Sequence, residues 1–67
     1  MSDMETEKLT HRQMISKLID SGLRIEEIAL RVNSSANAVY NWKSGLRHPI
    51  RIYQMAIEEM FNQKFKA

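Results

Sequence analysis

Residues 25–42 constrain the fold most, because they form two short amphipathic segments separated by Asn33 and Ser34. Apolar residues recur in both segments at helical spacings. They are Ile25, Ile28, Ala29 and Val32 in the first and Ala38, Val39 and Trp42 in the second. Ser35 stands where an N-cap hydroxyl accepts backbone N–H groups, and Asn33 tolerates the left-handed conformation that ends a helix. The pattern predicts two helices of about eight residues joined by a turn of about three, the helix-turn-helix arrangement.

The chain has 67 residues and no cysteine. At this size we expect one domain, held by packing or oligomerisation without disulfides or a thiolate metal site. No apolar run approaches the roughly 20 residues of a membrane span, and residues 1–8 are polar and acidic, unlike a signal segment. We therefore expect a cytoplasmic protein with no membrane partner.

Charge is distributed unevenly along the chain. Residues 1–22 carry three basic and four acidic residues. Residues 28–57, called here the acid-free segment, carry no acidic residue, and their basic residues are Arg31, Lys43, Arg47 and Arg51. A phosphate backbone favours such a surface, because each bound cation displaces condensed counterions. An ordinary solvated face is the alternative.

The remaining residues extend the prediction to an all-α fold. Residues 1–8 lack apolar periodicity and are predicted to be a flexible arm, followed by a single domain over residues 9–67. Thr10 and Gln13 have the spacing of a capping box at the start of helix 1, and Gly22 ends that helix.

The other three helices are expected over about residues 25–32, 36–43 and 50–62. Four helices leave room for at most a short fifth turn. The apolar residues of helix 4 cover more than one stripe, which exceeds what so small a monomer can bury. Homodimerisation is therefore predicted through the C-terminal end of the chain, at Met60, Phe61 and Phe65. The alternative is that the two phenylalanines close the monomer core.

A set of residues between Ser21 and Pro49 stands in a characteristic order. It comprises Gly22-Leu23, Glu26-Glu27-Ile28-Ala29, Val32-Asn33, Ser35, Val39 and Trp42-Lys43-Ser44-Gly45. In this order and spacing the chain resembles the lambda-repressor-like, Cro/C1-type (XRE) helix-turn-helix family of phage and bacterial repressors. The family often has a fifth helix, for which this chain leaves too little length, so the small Cro-like members are the closer comparison.

The resemblance implies that double-stranded DNA is the partner and that helix 3 reads it from the major groove. With Val39 and Trp42 turned inward, the outward residues of helix 3 are the predicted base contacts Ala36, Asn37, Tyr40 and Asn41. Asn can pair with an adenine edge, and the Ala36 methyl can meet a thymine methyl. Tyr40 either packs on thymine or bonds a phosphate. A solvated helix surface is the alternative for the two Asn residues.

Phosphate contacts are implied at the end of helix 3 and in the loop after it. They are Lys43, Ser44, Arg47 and His48, with Arg24 and Ser35 as further candidates. The family usually opens helix 2 with a Gln that binds phosphate, whereas Arg24 and Ile25 stand here, so that contact is absent or moves to Arg24. An ordinary basic loop is the alternative.

Together these features predict a DNA-binding transcriptional regulator, a phage or prophage Cro-like repressor that binds a palindromic operator as a homodimer in a bacterial host cell. One alternative is an accessory factor of recombination or transposition, and another is a protein-binding helical module such as an antitoxin. His11 and His48 lie far apart without clustered carboxylates, and adjacent Glu pairs point to different helix faces. We expect no enzyme activity, metal, cofactor or small-molecule substrate.

Overall fold

Four helices make up most of residues 9–65, the part of the chain that the computed structural model describes. They are α1 (His11–Asp20), α2 (Ile25–Val32), α3 (Ala36–Ser44) and α4 (Arg51–Lys64), and no strand occurs among these residues. The predicted all-α class with four helices is confirmed. The predicted arm, residues 1–8, lies outside the described residues.

Helices α1, α2 and α3 end in the same way, because a residue with positive φ lies just beyond each of them. These residues are Gly22 (φ 113°), Asn33 (φ 63°) and Gly45 (φ 86°). The following amide then reaches back into the last turn, as the Ser34 N–H does when it donates to the Ala29 carbonyl at 2.8 Å. These endings keep the connections short, so that successive helices fold back on one another.

Local hydrogen bonds also fix where the first three helices begin. The Thr10 hydroxyl accepts from the Gln13 N–H at 3.1 Å, and the Gln13 side chain accepts from the Thr10 N–H at 2.9 Å. This is the predicted capping box. At α2 the N-cap is Arg24, which has no side-chain acceptor, but the Glu27 carboxylate accepts the Arg24 N–H at 2.8 Å. Ile50 precedes α4 and offers no side-chain cap.

One hydrophobic core joins all four helices. Its buried side chains are Ile15, Leu18, Ile28, Ala29, Val32, Val39, Trp42, Ile57 and Met60. The Trp42 ring packs against Tyr53 of α4 with 5.2 Å between ring centroids. Helix α3 packs on both α1 and α2, so two neighbours fix its orientation.

Helix α4 uses its apolar residues differently from the prediction. Met60, assigned from the sequence to a dimer interface, is only 6% exposed and belongs to the monomer core. Phe61 is partly buried against the core and packs on Phe65, with 4.7 Å between ring centroids. Met60 thus packs in the monomer core, because α1 and α2 cover this side of α4, whereas the interface roles of Phe61 and Phe65 stay predictions.

Candidate nucleic-acid interface

Helix α3 has two faces of opposite character. Val39 and Trp42 are buried in the core, whereas Asn37 is exposed and Tyr40 is 53% exposed on the other side. Ala36 and Asn41 are half-buried at the edges of the outward face. None of the four predicted base-contact residues is enclosed by its own subunit, so a ligand can reach this face of α3.

The two predicted serine contacts differ in hydrogen-bonding capacity. The Ser35 hydroxyl accepts the Ala38 N–H at 3.1 Å, which leaves its own proton free to donate to an anion. The Ser44 hydroxyl already donates to the Asn41 carbonyl at 3.2 Å. A phosphate contact by Ser44 would require the hydroxyl to turn away from that carbonyl. Ser35 is therefore the better placed donor of the two.

The predicted basic contacts remain accessible. Arg24, Arg47 and His48 are exposed, and Lys43 is half-buried in the last turn of α3. The Arg47 N–H donates to the Asn41 carbonyl at 3.3 Å, so the loop begins folded against the end of α3. This contact holds the start of the basic loop beside the C-terminal turn of the helix that carries the outward Asn residues.

Arg12 of α1 joins this region, although sequence reasoning missed it. Its Nε donates to the Lys43 carbonyl at 3.1 Å, and a Cβ added at Gly45 would lie only 3.2 Å from its Nη1. The guanidinium thus sits at the negative end of the α3 dipole while staying exposed. The contact spans 31 positions of sequence, so no local pattern could reveal it.

An open groove runs between α1, the end of α3 and the loop before α4. Arg12, Lys17 and His48 line it together with polar and apolar residues, and no acidic side chain does so. The groove therefore continues the basic character of the loop onto α1.

The cations of the acid-free segment have no carboxylate at salt-bridge distance within residues 9–65. Within residues 9–65 the one carboxylate at that distance from a basic side chain is Glu58 of α4, whose Oε2 lies 2.7 Å from His11 Nε2 of α1. An anionic ligand would therefore not have to displace an internal carboxylate from Lys43 or Arg47.

The described residues support neither a membrane-spanning helix nor a metal site. None of the four helices is long and apolar enough to cross a membrane. Within residues 9–65, His, Asp and Glu side chains do not gather in groups of three or more that could hold a metal ion.

Comparison with known proteins found no matching family model, no matching curated protein and no matching solved structure. Function must therefore be inferred from the side chains and their arrangement.

Proposed function

We propose that this chain is a sequence-specific regulator of transcription, a Cro-like repressor of phage or prophage type, that inserts α3 into the major groove of double-stranded DNA. The observation that carries the proposal is the polarity of α3, whose outward Asn37 and Tyr40 lie opposite the buried Val39 and Trp42. A helix held by its core face can present rigid side chains to base edges. The resemblance of residues 21–49 to the XRE family supports the same assignment.

Each outward residue has a defined role in this proposal. Asn37 and Asn41 each carry an amide whose Nδ2 can donate to N7 of an adenine while its Oδ1 accepts from the N6 amino group. Ala36 contacts a thymine methyl, and Tyr40 packs on thymine or bonds a phosphate. Since the first turns of a recognition helix enter the groove foremost, we expect Asn37 to contribute more specificity than Asn41.

Phosphate contacts position the helix without reading sequence. Lys43, Arg47 and His48 would follow one strand past the end of α3, with Ser44 in the same turn. Arg24 and Ser35 would contact the backbone near the start of the motif. To this set we add Arg12, whose guanidinium is exposed beside the last turn of α3.

The dimensions of the domain agree with a dimer on a palindromic operator. Half-sites of such operators lie about 34–36 Å apart, one helical turn of DNA. The described part of the chain measures 38 × 23 × 20 Å, so two copies fit side by side at that spacing along their shorter dimensions. Occupation of a promoter by the dimer would then repress transcription.

Random-site selection with the purified protein tests the proposal directly. We expect enrichment of a palindrome whose half-sites are separated by about one helical turn. Absence of any enriched sequence, or an affinity that does not fall as salt rises, would contradict DNA recognition, because phosphate neutralisation makes binding strongly salt-dependent.

Titration of variants on the selected operator and on scrambled DNA separates the two kinds of contact. Asn37→Ala should cost about 1–3 kcal/mol on the operator and little on scrambled DNA. Arg47→Ala and Arg12→Ala should weaken both and reduce the salt slope by about 0.9 each. Lys64→Ala is the control, because this exposed cation lies outside the acid-free segment. Equal losses of Asn37→Ala on both DNAs would contradict a role in base recognition.

A further inference from the structure

The outer face of α4 carries two apolar side chains among its charged and polar ones, where a solvent-facing helix is normally polar. Ile52 is 68% exposed and Met55 is 57% exposed, and they lie one turn apart. Their neighbours Ile57 and Met60 occupy the opposite side of the helix, in the core. These two adjacent apolar side chains lie outside the monomer core and form an exposed apolar surface on α4.

Charged residues flank Met55 symmetrically. Arg51 precedes Met55 by four positions and Glu59 follows it by four, so the three form one stripe along α4. Arg51 stands in the first turn of α4, where the positive end of the helix dipole disfavours a cation. No carboxylate within residues 9–65 lies at salt-bridge distance from it. We call Arg51, Ile52, Met55 and Glu59 the α4 stripe.

We propose that the α4 stripe is the surface on which a second copy of this chain docks, with the two α4 helices antiparallel and a twofold axis near Met55. In a twofold interface, if residue i meets residue j, then j also meets i. Antiparallel pairing centred on Met55 places Arg51 opposite Glu59 of the second copy, twice per dimer, and packs the apolar residues between these pairs. Parallel pairing would instead place like charges together. This contact would join the two copies of the proposed DNA-binding protein. Only the biological role of the dimer rests on the proposed function.

The α4 stripe is short for a protein–protein interface. Eight steps of helical rise separate Arg51 from Glu59, a length of about 12 Å. Stable complexes bury about 800 Å² on each partner, roughly a sixth of the 4820 Å² surface of this chain. A stripe this short buries less, so we expect a weak, concentration-dependent dimer.

Sedimentation equilibrium of the whole chain without DNA tests the apolar contact. Met55→Lys should raise the dimer Kd at least about tenfold, because two copies of the buried contact are lost and two cations are brought together. Leu30→Lys is the matched control, since Leu30 of α2 is 83% exposed yet lies outside the stripe. Circular dichroism verifies that both variants keep their helices. An equal effect of the two variants would overturn the proposal.

Charge reversal tests the antiparallel register. Arg51→Glu and Glu59→Arg alone each place like charges opposite one another and should each raise the Kd about three- to tenfold. The double variant restores opposite charges and should return the Kd to within about twofold of the original protein. Failure of the double variant to recover, or a wild-type chain that stays monomeric at about 1 mM, would overturn the inference. A monomer that still selects a DNA site would leave DNA recognition by α3 intact and reject the dimer, whereas a dimer that selects no site would reject DNA recognition alone.

Discussion

Helices α3 and α4 both bury one face in the same core, but their exposed faces differ. The outward side of α3 carries Asn37 and Tyr40 and has no aliphatic side chain larger than alanine. The outward side of α4 carries Ile52 and Met55 between opposite charges. A polar face suits the hydrated edges of bases in a groove, whereas an apolar face suits another apolar surface. The difference is the basis on which we propose a different partner for each helix.

The two helices are also held differently. Helix α3 is capped at its start by the Ser35 hydroxyl and leaves through a left-handed Gly45. Helix α4 begins at Ile50 without a side-chain cap and ends at Phe65 with φ −111°. Local hydrogen bonds therefore position α3 at both ends, while α4 depends mainly on packing. Substitutions on the two faces and at the caps test this comparison.

The largest effect is expected from the core face of α3. Trp42→Ala should cost about 3–5 kcal/mol of unfolding free energy, because it removes the largest core side chain and its contact with Tyr53. A core in a chain this short rarely supplies more than about 3–5 kcal/mol, so the variant should be largely unfolded. Urea unfolding followed by circular dichroism measures the change.

Tyr40→Ala is the control for that substitution, since Tyr40 lies on the exposed face of α3. It should change the unfolding free energy by no more than about 0.5 kcal/mol. A loss comparable to that of Trp42→Ala would mean that the outward face is packed in solution, and groove reading by α3 would have to be abandoned.

The next largest effect separates the two faces of α4. Ile57→Ala should cost about 2–5 kcal/mol, because Ile57 is fully buried. Met55→Ala, two positions away on the opposite side, should stay within about 0.5 kcal/mol at concentrations where the chain is monomeric. Thermal unfolding of dilute samples compares them. A large loss from Met55→Ala under those conditions would show that the exposed stripe belongs to the monomer after all.

The contrast between α3 and α4 also explains which features could be predicted from the sequence. Helix α2 was predicted over residues 25–32 and is found there, and α3 extends one residue beyond its predicted end. Both limits depend on residues within a few positions, such as the cap at Ser35 and the left-handed Asn33. Local signals of this kind can be recognised in the sequence without knowledge of the tertiary structure.

The features that were not predicted from the sequence depend on tertiary packing. Helix α4 has two apolar stripes, and periodicity alone cannot say which of them faces α1 and α2. Met60 was assigned with Phe61 and Phe65 to a dimer interface but faces the core, while Ile52 and Met55 are exposed. The bond from Arg12 to the Lys43 carbonyl likewise depends on how α1 meets α3. The predicted base and phosphate contacts remain predictions, and their test is DNA binding.

A smaller effect is expected at the turn that sets the angle of α3. Asn33 has φ 63°, a conformation that costs a residue with an ordinary Cβ about 1–2 kcal/mol. Asn33→Ala should therefore lower the unfolding free energy by about 1–2 kcal/mol, whereas Asn33→Gly should stay within about 0.5 kcal/mol. Chemical denaturation of the two variants measures the difference. Equal stability of both would mean that the turn relaxes to another conformation.

The smallest effect on stability is expected at Ser35, where two roles can be separated. Ser35→Ala removes the acceptor for the Ala38 N–H and should cost about 1 kcal/mol. Ser35→Asp keeps an acceptor and places a negative charge at the positive end of the α3 dipole, so stability should be retained. The carboxylate has no proton to donate and repels phosphate, so the aspartate variant should bind all DNA sequences more weakly than the original chain. Unchanged DNA affinity of the aspartate variant would restrict Ser35 to capping, and the phosphate contact at the start of α3 would then have to come from Arg24 alone.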